Sequence, residues 1–234
     1  MGQSVCQAVR ADDALELVAE TDLGDSLGDS IRRSGAQCVV DFTHPKSRLD
    51  NVQTILSNGA CAVVGTTGFT ERDLAVVTVM CHEHGQGCLI APNFAVGAVL
   101  MMRFAAEAAQ YMPAVEIIEY HHNQKADCPS GTAIKTAQLI AEAQSKKSLH
   151  PGKDPTEIWN LPESRGADLA GIRIHGVRLP GFIASQEVIL GGMAQVLTIR
   201  HDTSSREAFM PGVLLGIKKM QGRKDFVYGL EKLL

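Results

Sequence analysis

The sequence predicts an α/β fold, with a parallel β-sheet in the first hundred residues and an α+β region after it. Three short apolar runs in the first part alternate with segments of helical periodicity. Continuous apolar strands separated by helices favour parallel pairing with right-handed crossovers. Farther along the chain, three strand-like runs follow one another with turn residues between them, which is typical of antiparallel strands.

The composition is that of a globular protein and argues against several kinds of partner. The 234 residues are 45% hydrophobic and 21% charged, with a formal net charge of −4. No basic run indicates a nucleic-acid partner. No apolar stretch approaches the roughly 20 residues that span a bilayer, and no signal-peptide pattern opens the chain. We therefore expect a cytoplasmic protein that binds neither nucleic acid nor membrane.

The elements of the parallel sheet follow one another in order. Strands are predicted at 36–45, 60–69 and 88–94, and helices at 47–59 and 70–85. The first helix stops at Asn58 and Gly59, a common C-terminal signal. The second begins at Thr70, a capping residue type, with acidic residues in its first turn.

The carboxyl ends of these strands indicate a ligand site. They carry the sequences DFTHP, GTTGF and APNF, whose small and polar residues let a ligand approach the backbone. Parallel sheets bind ligands at this edge. The same residue types also favour turns, so a purely structural role stays open for them.

The start of the chain predicts a helix over 1–13 and a strand over 15–22 that ends in Asp22. In dinucleotide-binding folds, an acidic residue about 20 positions after a glycine-rich turn binds a ribose hydroxyl. Gly2 would be the last glycine of such a turn. The alternative for Asp22 is an ordinary exposed acidic residue at a strand end.

One cluster of cysteines and histidines raises the question of a metal site. Its members are Cys81, His82, His84 and Cys88. Their spacing fits no common zinc pattern, so we predict a helix end and a turn before a strand, and no metal. The other cysteines are scattered singly, as is typical of small buried hydrophobic residues.

The stretch YHHNQKADCPSGTA, residues 120–133, joins a predicted strand at 114–120 to a predicted helix at 132–144. Strand-like runs follow at 171–181, 183–192 and 195–202, and a helix is predicted at 210–220. The stretch therefore places its titratable residues directly before a helix.

Five residues of this stretch predict an anion pocket with a proton donor beside it. The N–H groups of Gly131 and Thr132 at a helix N-terminus suit a carboxylate or phosphate. Lys125 adds a positive charge, and His121 and His122 are of the type that changes charge near neutral pH. A structural histidine pair and a surface lysine are the alternatives.

These motifs resemble those of the dihydrodipicolinate reductase family. EYHHNQKADCPSGTA is similar to the family signature E-L-H-H-x-x-K-x-D-x-P-S-G-T-A, and further matches run in the family's order through nearly the whole chain. They are VVDFTHP, AVVGTTGF, LIAPNFAVGAVL, RGADLAGIRIHGVRLPG and LTIRHDTSSREAFMPGVLLGI. The residues of these motifs resemble those of the actinobacterial branch of the family. The resemblance implies reduction of 4-hydroxy-tetrahydrodipicolinate, through dihydrodipicolinate, to tetrahydrodipicolinate in lysine and diaminopimelate biosynthesis. NADH or NADPH would be the cofactor, and the substrate a small cyclic dicarboxylate.

The resemblance also implies a role for each site residue. His121 would be the catalytic acid/base and Lys125 the proton donor, while His122, Gly131 and Thr132 would hold the substrate carboxylates. The cofactor-binding residues would be Gly2, Asp22, Gly65, Thr66, Thr67, Ala91, Pro92, Asn93 and Phe94. Asp22 favours NADH, because its charge would repel a 2′-phosphate.

Two domains and a homotetramer follow from the same resemblance. Residues 1–95 and 205–234 would form a Rossmann-like dinucleotide-binding domain. Residues 96–204 would form a substrate-binding and tetramerisation domain with an open mixed sheet. The family's first strand and most of its glycine-rich turn would precede Gly2, so we expect a start codon assigned too far downstream.

Two other functions stay open. One is a different nicotinamide-dependent dehydrogenase, which would turn over a linear aldehyde or keto acid. The other is a cofactor-free dicarboxylate-binding protein, which would bind pyridine-2,6-dicarboxylate without changing NADH fluorescence.

Overall fold

The chain divides into two units, each with its own β-sheet. The computed structural model describes residues 1–149, 154–158, 160–161 and 164–234. The first unit comprises Met1–Val96 and Arg206–Leu234, and the second comprises Gly97–Ser205. Across the described ranges, no helix is long and apolar enough to cross a membrane.

The elements alternate early in the chain and cluster into strands later. The α-helices are α1 (Gly2–Arg10), α2 (Leu27–Ser34), α3 (Arg48–Ser57), α4 (Glu71–His84), α5 (Val96–Ala108), α6 (Gly131–Lys146) and α7 (Met210–Met220). The strands are β1 (Cys38–Asp41), β2 (Cys61–Val64), β3 (Cys88–Ile90), β4 (Ala114–His121), β5 (Ala167–Leu169), β6 (Ile172–Arg178), β7 (Ala184–Gly192), β8 (Gln195–Thr203) and β9 (Phe226–Tyr228).

The sheet of the first unit is parallel throughout, in the order β1-β2-β3-β9. Its central strands are buried because helices cover both faces: Val64 packs with residues of α3 and α4, whereas Val63 faces α7. Full burial of one such side chain contributes roughly 1.5–3 kcal/mol. The α/β class and the Rossmann-like parallel sheet are confirmed.

Local signals set the ends of α4. The Thr70 hydroxyl accepts a hydrogen bond from the Asp73 amide, and the Asp73 carboxylate accepts one from the Thr70 amide, a reciprocal capping box. At the other end Gly85 adopts φ 61°, a left-handed conformation that suits glycine. The interpretation of residues 81–88 as a helix end and a turn before a strand is confirmed.

The predicted strand over 15–22 is wrong. The chain there has no regular structure and pairs with none of the strands of the first sheet. Apolar alternation specifies a strand only where a neighbouring backbone accepts and donates its hydrogen bonds. Asp22 lies in a turn instead, where its amide donates to Asp25 Oδ2 at 2.8 Å. The predicted helix before it is confirmed as α1.

The sheet of the second unit is mixed, in the order β5-β6-β4-β7-β8. The predicted antiparallel arrangement holds for β7 and β8, which pair directly; β6 also runs antiparallel to β7 but pairs with β4 and not with β7. The reason is that β4 takes the central position between β6 and β7, with Val115, Ile117 and Glu119 buried. A strand with buried alternate residues gains most from neighbours on both sides. The open mixed sheet is confirmed.

Candidate active site

The candidate active site of the second unit lies where β4 ends and α6 begins. β4 ends at His121, and α6 starts at Gly131. The Ser130 hydroxyl caps the helix by accepting a hydrogen bond from the Ala133 amide at 3.2 Å. His121 is thus fixed to a central strand, whereas Lys125 lies in the connecting loop.

A buried carboxylate holds the imidazole of His121. Glu119 lies two residues earlier on the same face of β4 and is 0% exposed. One of its oxygens is hydrogen-bonded to His121 Nδ1. An ionised carboxylate only accepts hydrogen bonds, so Nδ1 carries the proton and Nε2 is the ring nitrogen left for chemistry. The His121 side chain is 14% exposed.

Arg178 neutralises this carboxylate from the neighbouring strand. It lies opposite His121 in the parallel register of β4 and β6. Its Nη2 and Nη1 donate to the two oxygens of Glu119 at 2.7 and 2.9 Å. Burial by itself would raise the pKa of Glu119, but the hydrogen bonds from His121 and Arg178 outweigh it and lower the pKa to about 2. Glu119 is therefore an anion at neutral pH.

The loop after β4 is hydrogen-bonded to Arg178 as well. Arg178 Nη2 also donates to the carbonyl oxygen of Asp127 at 2.7 Å. Lys125 Nζ donates to the Asp127 carboxylate at 2.7 Å and lowers the pKa of that carboxyl. Arg178 thus connects the segment that carries Lys125 to the carboxylate that holds His121.

The other predicted residues of this unit lie at the start of α6 or in the loop before it. His122 and Gly131 are exposed, and an added Cβ at Gly131 would meet nothing within 4 Å. Thr132 is half-buried, and its carbonyl oxygen accepts a hydrogen bond from the Thr136 hydroxyl at 2.7 Å. The first turn of a helix directs N–H groups and a partial positive charge outward, which suits a carboxylate.

In the first unit, the strand ends that the sequence indicated form one edge. Asp41, Val64 and Ile90 are aligned in the parallel register of β1, β2 and β3. The predicted residues 65–67 and 91–94 follow these ends directly. The edge is therefore the carboxyl edge of the sheet, where parallel α/β folds bind ligands.

Asp41 organises this edge, a role that was not predicted from its sequence. Its Oδ1 accepts hydrogen bonds from the Thr66 hydroxyl at 2.9 Å and the Thr43 amide at 2.8 Å. Its Oδ2 accepts one from the side-chain amide of Asn51 at 3.0 Å. The available signal was an acidic residue closing an apolar run, in the VVDFTHP motif.

The small residues at this edge are compatible with a bound nicotinamide dinucleotide. Thr67 and Pro92 are exposed, and Ala91 offers no large side chain. Phe94 is 2% exposed and packs on Phe42 with ring centroids 5.5 Å apart, so it supports this edge from the buried side. Small side chains at the carboxyl edge of a parallel sheet suit a ligand that approaches the strand ends.

Three further predicted cofactor residues have other surroundings. Asn93 Oδ1 accepts a hydrogen bond from the Ala95 amide at 2.8 Å, which orders the entry to α5. Gly2 is the exposed first residue of α1, and Asp22 lies in an exposed turn. Their cofactor roles stay predictions.

The whole chain is similar to known reductases. The family models described as dihydrodipicolinate reductase, N-terminus and C-terminus, match residues 1–94 and 97–234. A 4-hydroxy-tetrahydrodipicolinate reductase of Nocardia farcinica is 48% identical over 100% of this chain and 94% of its own length. One of Syntrophomonas wolfei is 44% identical with the same coverage.

A solved structure agrees with these sequence comparisons. It is the dipicolinate-bound dihydrodipicolinate reductase from Paenisporosarcina sp. TG-14, with a TM-score of 0.84 and 42% identity. The match covers 100% of this chain and 95% of that one. The resemblance that the motifs indicated is confirmed.

Proposed function

Because the chain belongs to the dihydrodipicolinate reductase family, we propose that it reduces 4-hydroxy-tetrahydrodipicolinate, after loss of water, to tetrahydrodipicolinate. The reaction belongs to lysine and diaminopimelate biosynthesis and uses NADH or NADPH. The observation that carries the proposal is the buried Glu119 that holds His121, beside a loop that carries Lys125 and leads into α6.

The residues of the first unit would hold the cofactor, which supplies a hydride when bound. Gly65, Thr66 and Thr67, with Ala91 to Phe94, would line it, and Thr67 and Pro92 are the exposed residues among them. Asp22 would bind the adenosine ribose and Gly2 would lie near the diphosphate. We expect NADH to be at least as good a cofactor as NADPH, because Asp22 would repel a 2′-phosphate.

The residues of the second unit would bind the substrate ring and transfer protons to and from it. His122 and the first-turn N–H groups of Gly131 and Thr132 would bind the two carboxylates. Hydride arriving at a ring carbon leaves negative charge at the conjugated nitrogen, so a nearby proton source lowers the barrier. Lys125 would donate that proton, and His121 would act as acid/base through Nε2.

Turnover with matched substrates tests the proposal. NADH loss should depend on freshly generated cyclic substrate and should be absent with linear aldehydes or keto acids. Turnover of a linear substrate alone would favour a different dehydrogenase. Binding of pyridine-2,6-dicarboxylate in calorimetry without an NADH fluorescence change would favour a dicarboxylate-binding protein, which the full-length likeness to reductases does not favour.

Assembly and location are part of the same proposal. We infer that the second unit mediates a homotetramer, because β8 is an edge strand with exposed apolar side chains. Val196 and Leu197 on this strand and Met193 just before it are the clearest examples. An exposed apolar edge strand is a ready surface for pairing. We also infer that the enzyme works in the cytoplasm, where its nicotinamide cofactors are held.

A further inference from the structure

Glu119 is a buried charge to which the proposed function gives no part in the reaction beyond its contact with His121. A carboxylate that loses its water is costly unless it is paired and hydrogen-bonded. Glu119 is 0% exposed and receives its hydrogen bonds from His121 and Arg178. The Cys128 thiol adds a weak contact, with Sγ 3.7 Å from Oε1. The chain thus keeps a charged group at a buried position, with Arg178 and His121 as its partners.

Space for this carboxylate comes from a glycine on the neighbouring strand. Gly176 lies opposite Glu119 in the register of β4 and β6. A Cβ at Gly176 would lie 2.3 Å from Cys128 Sγ and 3.1 Å from Glu119 Oε1. A side chain there would therefore push on the carboxylate and on the loop together.

We propose that Glu119, clamped by Arg178, is a positioning residue for the reductase reaction that fixes His121 with its proton on Nδ1 and presents Nε2 to the substrate. This deepens the proposed function and rests on it. Arg178 also donates a hydrogen bond to the Asp127 carbonyl, in the segment that carries Lys125. Its guanidinium therefore fixes the position of this segment relative to the His121 imidazole. Held geometry of this kind is what general acid catalysis requires.

A matched carboxylate on the same strand offers a control. Glu116 also lies on β4 and also bonds a histidine and an arginine, His175 at 2.8 Å and Arg165. Its side chain is 36% exposed, and it points to the opposite face of the sheet from Glu119. Glu116→Gln therefore removes the same kind of ion pair away from His121.

A double-mutant cycle separates positioning from structural support. In the full chain, Glu119→Gln should lower kcat by about 10-fold or more with KM changed less than about threefold. Glu116→Gln should leave both within about twofold. Adding Glu119→Gln to His121→Ala should change kcat by less than about twofold, because the two residues act as a unit. A further tenfold loss in the His121→Ala background, or no loss in the wild-type background, would overturn the positioning role.

A measurement on the unaltered chain keeps the proposal testable whatever Glu119→Gln does to folding. Imidazole ¹⁵N NMR at a pH where His121 is neutral should show the proton on Nδ1, with the signal assigned by its loss in His121→Ala. A proton on Nε2 would overturn the inference. Absence of turnover in the wild type, or full activity of His121→Ala, would instead refute the proposed function, while the NMR result still decides the Glu119 and His121 geometry.

Discussion

His121 and His122 are adjacent in the sequence but have different surroundings. His121 ends β4, is 14% exposed at its side chain and is bonded to Glu119. His122 is exposed in the loop. A held imidazole suits proton transfer, whereas an exposed one suits contact with a charged substrate group.

The two histidines should therefore affect different kinetic constants. His121→Ala should lower kcat by roughly 10²–10⁴-fold with little change in KM. His122→Ala should raise KM by roughly tenfold, since a hydrogen bond to a charged group contributes about 1.5–3 kcal/mol. Steady-state kinetics of both variants, with the exposed His82→Ala as a control, checks this assignment. Equal effects of both variants on kcat would contradict it.

At this site, only those residues were predicted whose side-chain type by itself indicates proton transfer or charge. His121 and Lys125 were found because titratable side chains stand out before a helix start. Glu119 and Arg178 were not predicted, because their role depends on a hydrogen bond between residues that lie 59 positions apart in the sequence. Only the parallel register of β4 and β6 brings them together, and no local pattern encodes it.

At the scale of elements, α7 shows how closely a helix can approach a strand end. It begins with Met210, Pro211 and Gly212, and an added Cβ at Gly212 would lie 2.0 Å from the carbonyl oxygen of Phe94. The backbone after β3 and the first turn of α7 are thus in direct contact. Glycine is required here by the close approach and not by its φ angle.

Gly212→Ala should therefore destabilise the first unit. The backbone of Phe94 cannot move aside as a side chain end can, so we expect a loss of roughly 1–3 kcal/mol of unfolding free energy. Gly2→Ala is the matched control, because it lies in a helix with nothing within 4 Å of the new Cβ. Urea unfolding of both variants measures the difference. Equal stability of the two would show that the contact is relaxed at no cost.

Elements whose signals are local were predicted well, and those that depend on a neighbour were not. The helices α3 and α4 follow from capping residues and apolar spacing. The strand over 15–22 failed because its apolar residues have no strand to pair with in the described chain. The position of β6 beside β4 was not predicted, because strand order is a property of the whole sheet.

For the molecule as a whole, ionisation of the Glu119 carboxyl makes the free energy of unfolding depend on pH. Its pKa is lowered from 4.5 to about 2 in the folded chain. A carboxyl with a lowered pKa adds stability that is fully present above its unfolded pKa and is lost as pH falls through the folded pKa. The window is therefore pH 4.5 down to about 2, and the contribution is about 3 kcal/mol.

The stability difference between the wild type and Glu119→Gln should consequently shrink across this window. Denaturant unfolding at a series of pH values measures it, and Glu116→Gln, whose carboxyl also has a lowered pKa but is partly exposed, should show a smaller effect. A difference that stays constant from pH 6 to pH 2 would show that the Glu119 charge adds nothing to stability.

The proposed tetramer also makes a prediction at this scale. Val196→Asp places a charge on the exposed edge strand β8, where Val196 is 70% exposed, and should lower the mass of the assembly in light scattering. Val79→Asp is the control, since Val79 is 55% exposed on α4 in the first unit and should leave the mass unchanged. A monomeric wild-type chain would contradict the tetramer.

The rate of NADH loss with the freshly generated cyclic substrate, compared between the wild type and His121→Ala, decides whether this chain is a reductase that uses the proposed site. We expect substrate-dependent turnover by the wild type, formation of the reduced ring and a loss of turnover of roughly 10²-fold or more in the variant. A wild-type chain that binds the cyclic dicarboxylate but consumes no NADH would contradict the proposed reductase, and an active His121→Ala would contradict the site.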